Sequence, residues 1–233
     1  MIVHLLARIT IPEPSFSEPS LYVRHQHGEI TEAGLRLATG GRATFDTAFG
    51  VFSSGRWCRL THISDVGVSM QISGRCKVEL IAYTNGNEIV VDSSDSTTTL
   101  QCSDVRSLAA ESFYVAVTAL EDDVVIHSGQ WTTKSAPERE VRLGVTITTF
   151  NRQEYVLKTI DRLVNLEATE PSVNGHLQVV VVDNARNLEP QLPTSAPVRV
   201  LSNPNLGGAG GFARGLIEFR DKGWSTHVVF MDD

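Results

Sequence analysis

The sequence predicts two domains of different class, an all-β domain over residues 1–135 and an α/β domain over residues 141–233. Three observations support this division. Short β-rich runs separated by turn residues fill the first part, with almost no helical periodicity. Apolar, β-branched runs alternate with helical patterns in the second part. Between them lies a polar stretch with a single proline, residues 136–140, which we interpret as a linker.

The turns define the first domain. Asn85-Gly86 separates two β-rich runs, 77–83 and 88–92, and Asn-Gly is the strongest short hairpin signal because both positions accept a positive φ. The other predicted strands are 69–73, 97–102, 112–120 and 124–133. A spacing of roughly ten residues between turns is typical of an antiparallel β-sandwich, here expected to be jelly-roll-like.

Alternating strand and helix patterns define the second domain. The predicted strands are 141–149, 176–182, 198–201 and 226–231, and the predicted helices are 152–167 and 210–220. Open α/β sheets bind their ligands beyond the carboxyl ends of their parallel strands. We therefore expect the functional residues of this domain directly after its strands. A sheet that stops after the fourth strand also predicts that the chain is a fragment of a longer catalytic domain.

The composition is that of an ordinary globular chain, with 233 residues, 41% hydrophobic residues and a formal charge of −7. This acidity argues against a nucleic-acid-binding protein that works by phosphate neutralisation. No apolar run approaches the roughly 18 residues of a spanning helix, and no basic region precedes the apolar N-terminus, so neither a spanning helix nor a signal peptide is expected. Three cysteines without CxxC spacing favour free thiols over a zinc site. We expect a soluble, cytoplasmic protein.

Four segments follow the predicted strands of the α/β domain, and together they suit a nucleoside diphosphate. They are Thr148–Arg152, Asp183-Asn184, Asn203–Gly211 and Asp232-Asp233. An aspartate such as Asp183 can accept a hydrogen bond from a base imide N–H. A glycine-rich helix start offers backbone amides to phosphate, and Arg152 offers a charge-assisted contact. Asp232 can help to hold Mg²⁺ or Mn²⁺, which prefer carboxylate oxygens and substrate phosphate.

Alternative explanations of these segments stay open. Gly208–Ala213 fits the dinucleotide fingerprint GxGxxG/A, with an acid about twenty residues further on at Asp232, and so also predicts an NAD-binding oxidoreductase. Against this, the fingerprint normally lies in the first βα turn, whereas two strands precede it here. Asp183-Asn184 can also be a simple turn, and the glycines can serve only close helix–sheet packing.

The β domain also has two explanations. Either it binds a glycan by stacking on its aromatic side chains, or those side chains belong to its core. The aromatic residues in question are Trp57, Tyr83, Tyr114 and Trp131. The first explanation describes a non-catalytic glycan-binding protein.

Four motifs carry a resemblance to a known family. They are Ile147–Arg152 (ITTFNR), Val180–Asn184 (VVVDN), Asn203–Gly215 (NPNLGGAGGFARG) and Phe230–Asp233 (FMDD). These resemble inverting GT-A glycosyltransferases of the family 2 type and, more narrowly, the galactofuranosyltransferases that polymerise mycobacterial cell-wall galactan. The β-rich region resembles the same family, so the resemblance covers essentially the whole chain. It implies a β-sandwich followed by the nucleotide-binding half of a Rossmann-like GT-A domain, truncated.

The resemblance also implies a site. Its nucleotide-sugar-binding residues would be Thr148, Thr149, Phe150, Arg152, Asp183, Asn205, Gly207, Gly208, Asp232 and Asp233. Asp183 would lie near the uracil and Asn205 near the ribose and diphosphate. Asp232 would be the ligand of Mn²⁺ or Mg²⁺, as the first acid of a DDD-type motif with Asp233 in the middle. The third acid and the catalytic base would lie beyond residue 233.

The implied reaction transfers galactofuranose from UDP-galactofuranose, with inversion, to a growing lipid-linked galactan. An acceptor hydroxyl, deprotonated by a carboxylate base, would attack the anomeric carbon of the donor. Because the chain would carry only the donor-binding half of the site, we expect it to be inactive by itself. The resemblance further implies a peripheral position at the inner face of the plasma membrane, and it leaves a homo-oligomer open.

Overall fold

A computed structural model describes residues 3–188 and 197–232 of the chain. The chain divides into two compact units, Met1–Pro137 (unit 1) and Glu138–Asp233 (unit 2), and this division falls within the stretch 136–140. Most of the strands are antiparallel and belong to unit 1. Among the helices that the structure describes, none combines the length and apolar composition needed to cross a membrane.

Unit 1 contains, within its described residues, nine antiparallel strands that belong to one connected sheet. The strands are β1 (His4–Thr10), β2 (Arg24–Thr31), β3 (Gly34–Thr44), β4 (Val66–Ser73), β5 (Cys76–Thr84), β6 (Asn87–Ser94), β7 (Thr99–Cys102), β8 (Ser112–Ala119) and β9 (Val124–Thr133). Helices α1 (Ser54–Leu60) and α2 (Val105–Leu108) and a 3₁₀ helix (Pro19–Leu21) lie in the connections. The strand order is β6-β5-β8-β3-β9-β4-β7, with β2 paired to β3 and β1 paired to β9. The antiparallel, sandwich- or barrel-like β structure expected from the sequence is confirmed, and the jelly-roll order stays a prediction.

The predicted hairpin is present between β5 and β6. Asn85 and Gly86 have φ angles of 50° and 79°, as a tight turn between twisted strands requires. By contrast, β1, β2 and β3 were not among the predicted strands. Gly40 and Gly41 lie inside β3, where a Cβ added at Gly41 would come within 2.7 Å of the His27 carbonyl oxygen. The glycine pair therefore permits a shift in the register of β2 on β3.

The larger of the two hydrophobic clusters among the described residues of unit 1 forms its main core. Its largest side chains include Trp131, Phe45, Phe52 and Phe113, all buried. The rings of Trp131 and Phe52 lie 5.5 Å apart, and the indole N–H donates to the Gly50 carbonyl at 3.3 Å. Residues from β1, β3, β4, β5, β7, β8 and β9 contribute to this core.

Unit 2 contains a four-stranded parallel sheet and two helices among its described residues. Its elements are β10 (Leu143–Thr149), α3 (Gln153–Thr169), β11 (Leu177–Asp183), β12 (Val198–Ser202), α4 (Gly207–Lys222) and β13 (His227–Asp232). The strand order is β12-β11-β10-β13. The predicted elements agree with these to within a few residues. Helix α4 begins at Gly207 rather than at Gly210, so the first glycines of the motif belong to the helix.

The two helices cover opposite faces of the parallel sheet. Ile160 and Leu163 of α3 pack against the side chains of β10 and β11 on one face, among them Val145 and Val179. Helix α4 packs Phe219 against Val180 and other residues that point to the other face. Successive strand residues point to opposite faces, so a strand covered on both sides must be apolar throughout. This explains the valine run of β11, whereas β10 is apolar toward α3 and carries Gly144, Thr146 and Thr148 toward α4.

Helix α4 approaches β10 closely because glycines face the strand. A Cβ added at Gly211 would lie 2.3 Å from Cγ2 of Thr148, and one added at Gly215 would lie 2.2 Å from Cγ2 of Thr146. Four helical residues rise about 6 Å and two strand residues about 6.6 Å, so the two elements stay in step. The facing pairs are Gly211 with Thr148, Gly215 with Thr146, and Phe219 with Gly144.

Candidate nucleotide site at the carboxyl edge of unit 2

The carboxyl ends of the four parallel strands meet at one edge of the sheet, which we call the carboxyl edge. The strand register places Thr149 beside Asp183, Asp183 beside Ser202, and Thr148 beside Asp232. Strands β11 and β12 extend the sheet on one side of β10, whereas β13 extends it on the other. A crevice forms at such a reversal of strand order, and open α/β sheets bind their ligands there. The carboxyl edge at β10 and β13 is therefore the candidate site.

Asp183 closes the loop that follows β11. Its carboxylate is fully buried. Oδ1 accepts from the backbone amides of Ala185 and Arg186, both at 2.9 Å, and Oδ2 accepts from those of Asn187 at 2.6 Å and Leu188 at 2.8 Å. A carboxylate has about four lone-pair sites, so these bonds occupy all of them. A base imide would have to displace one of these amides, and the predicted contact of Asp183 with uracil stays a prediction.

A buried pair of amide side chains connects the loops after β11 and β12. Nδ2 of Asn203 donates to Oδ1 of Asn184 at 2.8 Å, and Nδ2 of Asn184 donates to the carbonyl of Gly207 at 3.3 Å. The pair thereby fixes the start of α4 to the end of β11. Asn184 and Asn203 lie in the segments predicted to suit a nucleoside diphosphate, but neither was among the residues predicted to bind the nucleotide sugar. The available signal was that each directly follows a strand, where a short amide can satisfy buried backbone groups.

The start of α4 is open, and Asn205 supports it. Oδ1 of Asn205 accepts from the backbone amide of Gly207 at 3.1 Å. A Cβ added at Gly207 or Gly208 would meet no heavy atom within 4 Å. Anions are stabilised at the first turn of a helix, where backbone amides lack partners within the helix. The structure therefore divides the glycine motif: Gly207 and Gly208 leave space for a ligand, whereas Gly211 and Gly215 serve close packing.

Thr148 and Thr149 are both buried at the end of β10. The Thr148 side chain lies under α4, and its Oγ1 is one of the buried oxygens for which no hydrogen-bond partner is found among the described residues. Phe150, the next residue, exposes about half of its side chain. Of these three, Phe150 presents the most surface to a ligand at the carboxyl edge.

Arg152 precedes the first turn of α3. Its guanidinium carbon lies 4.6 Å from the centre of the Tyr155 ring, which is the geometry of a cation–π contact. Next to it, Asn151 has a positive φ of 57° and accepts a hydrogen bond from Nδ2 of Asn187 at 3.0 Å. The loops after β10 and β11 are therefore joined beside the arginine.

Asp232 ends β13 and is exposed, whereas Asp233 lies outside the described residues. No group of three His, Cys, Asp or Glu side chains able to hold a metal occurs within residues 3–188 and 197–232. Mg²⁺ is commonly bound by one or two carboxylates together with substrate phosphates. The oxygens of Asp183 already accept hydrogen bonds from backbone amides. Among the described residues of the predicted site, Asp232 is therefore the carboxylate that fits a divalent cation.

Arg186 is a further cation at the carboxyl edge that the sequence analysis missed. Its backbone has a positive φ of 58°, and its Nε donates to the carbonyl of Asn203 at 3.3 Å. The Asp183 carboxylate holds the loop in this conformation through the backbone amides. Nothing in the sequence pattern distinguishes this arginine from an ordinary surface residue, because its position depends on the loop conformation.

The aromatic residues of unit 1 do not form a common stacking surface. Trp131 and Tyr114 are buried, and Trp57 is half-buried against Phe52 with the two rings 5.8 Å apart. Tyr83 is the exposed member of the set. Trp131 and Tyr114 are therefore core residues, whereas Tyr83 is exposed, and glycan binding by the β domain stays a prediction.

Comparison with known proteins identifies the family. Residues 7–134 match the family model described as Galactofuranosyltransferase 2 N-terminal. The chain belongs to this family. The resemblance found in the sequence, to the N-terminal part of a galactofuranosyltransferase, is therefore confirmed.

Two members of this galactofuranosyltransferase family are similar along nearly the whole chain. Galactofuranosyltransferase GlfT2 of Mycobacterium tuberculosis is 25% identical over 260 residues, covering 98% of this chain and 39% of that protein. The protein of the same name from Mycolicibacterium smegmatis is 24% identical and covers 99% of this chain and 39% of its own length. The chain thus spans about two fifths of the length of these relatives.

A solved structure, the Glycosylation Associate Protein (Gap123) complex from Streptococcus agalactiae, also matches the chain. It is 10% identical, covers 99% of this chain and 91% of its own, and has a TM-score of 0.31. This TM-score is too low to support an argument about fold or function.

Proposed function

We propose that this chain is the donor-binding part of a galactofuranosyltransferase, and that unit 2 is the nucleotide-binding half of a GT-A domain. One observation carries the proposal: Thr149, Asp183 and Asp232 end adjacent parallel strands at the carboxyl edge, beside the open start of α4. The name of the matched family and of the relatives supports galactofuranose as the transferred sugar. The donor proposed for the site is UDP-galactofuranose.

The proposed binding mode assigns the diphosphate to the start of α4. Gly208, where an added Cβ would meet open space, provides a backbone amide at the positive end of this 16-residue helix, whereas the Gly207 amide already donates to Asn205. Arg152 adds a cation on the β10 side. Asp183 acts as a positioning residue, because it shapes the loop beside the base while its own oxygens are occupied by amides. Asn205 has a similar role for the helix start.

The proposal includes a divalent cation, with Asp232 as its ligand from this chain. When bound, Mn²⁺ or Mg²⁺ offsets negative charge on the diphosphate as UDP departs. Asp232 is suited to this because it is exposed at the carboxyl edge and is beside Thr148 in the register.

The proposed reaction is a single displacement with inversion. The acceptor hydroxyl oxygen forms a bond to the anomeric carbon while the bond from that carbon to the UDP oxygen breaks, and a carboxylate base takes the hydroxyl proton. Residues of this chain bind and orient the donor, and Arg152 stabilises the charge that develops on the leaving diphosphate. We assign no base among the described residues. The proposed acceptor is a growing lipid-linked galactan, which would bring the enzyme to a membrane surface.

Calorimetric titration of UDP into the 233-residue chain with Mn²⁺ tests the proposal. We expect binding that Arg152→Ala weakens about tenfold, because a charge-assisted contact is lost. Arg162→Ala is the matched control, since it removes an exposed arginine from the same helix. Binding of NAD in place of UDP would contradict the proposal and favour an oxidoreductase.

A further inference from the structure

A polar cavity of about 390 Å³ lies in unit 1. It is lined by Arg24, Arg42, Thr44, Asp46, Glu88 and Tyr114, together with His25 and Gln26. Its volume is within the range of about 300–1,000 Å³ that is typical of small-molecule sites. Most of these residues come from β2, β3, β6 and β8.

The cavity is on the face of the sheet that points away from the main core. Ala43, Val115 and Val117 are fully buried in that core. Strand residues alternate between the two faces, so Arg42 and Tyr114, their neighbours in sequence, point to the opposite side. The cavity is thus a feature of the outer face rather than a packing defect inside the core.

Two arginines of the cavity wall are paired with carboxylates. Nε of Arg24 donates to Oδ1 of Asp46 at 3.0 Å, and a second guanidinium nitrogen pairs with Oδ2. Nη1 of Arg42 donates to Oε2 of Glu79 at 2.8 Å and to the Thr118 hydroxyl at 2.9 Å. The Arg24 side chain is 65% exposed and that of Arg42 is 39% exposed, so these ion pairs orient the guanidinium groups without immobilising them.

The charges of the cavity balance each other. Arg24 and Arg42 are matched by Asp46 and Glu88 in the lining, and Glu79 contacts Arg42 from outside it. A site for phosphate would instead present an excess of positive charge. The cavity combines paired donors and acceptors with no net attraction for an anion, which suits the vicinal hydroxyl groups of a neutral sugar.

Tyr114 lines the cavity, but only about 5% of this residue is exposed. Its ring packs with Ile81, Ala116 and Val51. Burial and a hydrogen bond to the Glu88 carboxylate raise the pKa of Tyr114 to about 12, so the hydroxyl keeps its proton at neutral pH. The hydroxyl proton is directed to Glu88, and the hydroxyl oxygen keeps acceptor capacity for a sugar hydroxyl.

Two aromatic residues, the half-buried Tyr22 and the exposed Phe49, are close in sequence to residues of the cavity wall. Tyr22 precedes Arg24 by two residues, and Phe49 follows Asp46 by three. The Tyr22 and Phe49 rings lie 4.8 Å apart, and Phe49 exposes more than half of its surface. Phe49 is therefore the one of these two residues that presents a mostly exposed ring.

We propose that this cavity binds a neutral oligosaccharide, namely a segment of the glycan on which the enzyme acts. The class of ligand follows from the cavity itself. Its identity as a galactofuranose chain rests on the proposed function. The site is in unit 1 and so differs from the carboxyl edge of unit 2, where the donor is proposed to bind.

Titration of a synthetic galactofuranose tetrasaccharide into the 233-residue chain, followed by calorimetry, tests the inference. We expect Arg24→Ala to weaken binding about tenfold, because a charged hydrogen-bond donor is lost. Tyr114→Phe keeps the ring and is expected to weaken binding about fivefold through loss of the hydroxyl. Arg36→Ala is the matched control, since Arg36 is an exposed arginine of β3 that does not line the cavity. Circular dichroism verifies that each variant is folded.

Two results would overturn the inference. One is the absence of binding by the unchanged chain at about 10 mM tetrasaccharide, a concentration that detects very weak sites. The other is binding that Arg24→Ala and Tyr114→Phe both leave unchanged. Titration of UDP into the same samples separates the two proposals. Binding of UDP without the tetrasaccharide removes only the cavity proposal, whereas binding of the tetrasaccharide without UDP supports the cavity and removes the donor site.

Discussion

The role of Asp183 can be tested by replacing one oxygen atom. In Asp183→Asn the side chain keeps its shape, but two of the four backbone amides that now face carboxylate oxygens would face an NH₂ group. Each hydrogen bond to a charged acceptor contributes about 1.5–3 kcal/mol, so the loss of two destabilises unit 2 by about 3–6 kcal/mol. Burial of the carboxylate supports a value in that range, because water cannot replace the lost acceptor.

Thermal unfolding of the chain measures this effect. For a unit of about 100 residues, each kcal/mol lowers the Tm by about 4–8 °C, so we expect the unit 2 transition to fall by at least about 12 °C. The control is Asp161→Asn, which changes an exposed aspartate of α3 and should leave the transition within about 2 °C. A variant that kept its Tm but lost UDP binding would refute this reasoning, since Asp183 would then act on the base alone.

Three further predictions concern the packing of α4 on β10, the ion pairs of Glu79 and the hydrogen bonds of Asp65 at the end of β9. Gly215→Val places side-chain atoms against Thr146 and should destabilise unit 2 by about 3 kcal/mol in denaturant titrations, whereas Gly208→Ala, which meets open space, should be nearly neutral. The hydrogen bond from Lys77 and the contact with Arg42 lower the pKa of Glu79 in the folded chain. The contribution of the Glu79 carboxylate to the stability of unit 1 is therefore complete above the unfolded pKa of about 4.5, and it is lost as the pH falls through the lower pKa of the folded chain. Glu79→Gln should therefore reduce the acid-induced part of the stability loss of unit 1. Asp65→Ala removes the acceptor of bonds from Gln101, Thr133 and the Lys134 amide, and should cost about 2–4 kcal/mol by thermal unfolding.

Each of these predictions has an outcome that would contradict it. Equal stability of the two glycine variants would mean that α4 moves away from β10 without cost. An unchanged acid unfolding profile for Glu79→Gln would mean that its ion pairs contribute nothing to stability. An unchanged Tm for Asp65→Ala would show that water replaces the carboxylate where the chain leaves β9.

Local patterns were sufficient for most of unit 2 and for the last strands of unit 1. Strands β10 and β11 are covered on both faces, so their apolar runs are distinct in the sequence. The hairpin at Asn85-Gly86 depends on two neighbouring residues that accept positive φ. Strands β2 and β3 escaped prediction because β2 is largely polar and exposed, and β3 contains two adjacent glycines. Their pairing depends on partners that are distant in sequence.

The sequence by itself determined the two-part pattern, the positions of polar residues after the parallel strands, and the resemblance to galactofuranosyltransferases. Only the tertiary structure decided what each of those residues contacts. Gly207 and Gly211 belong to one motif, yet one meets open space and the other meets Thr148, because clearance depends on the neighbouring strand. Likewise, the availability of the Asp183 oxygens depends on a loop conformation that turns backbone amides toward them. The sequence gives the chemical type of each side chain, whereas the atoms that a side chain contacts depend on distances that the fold establishes.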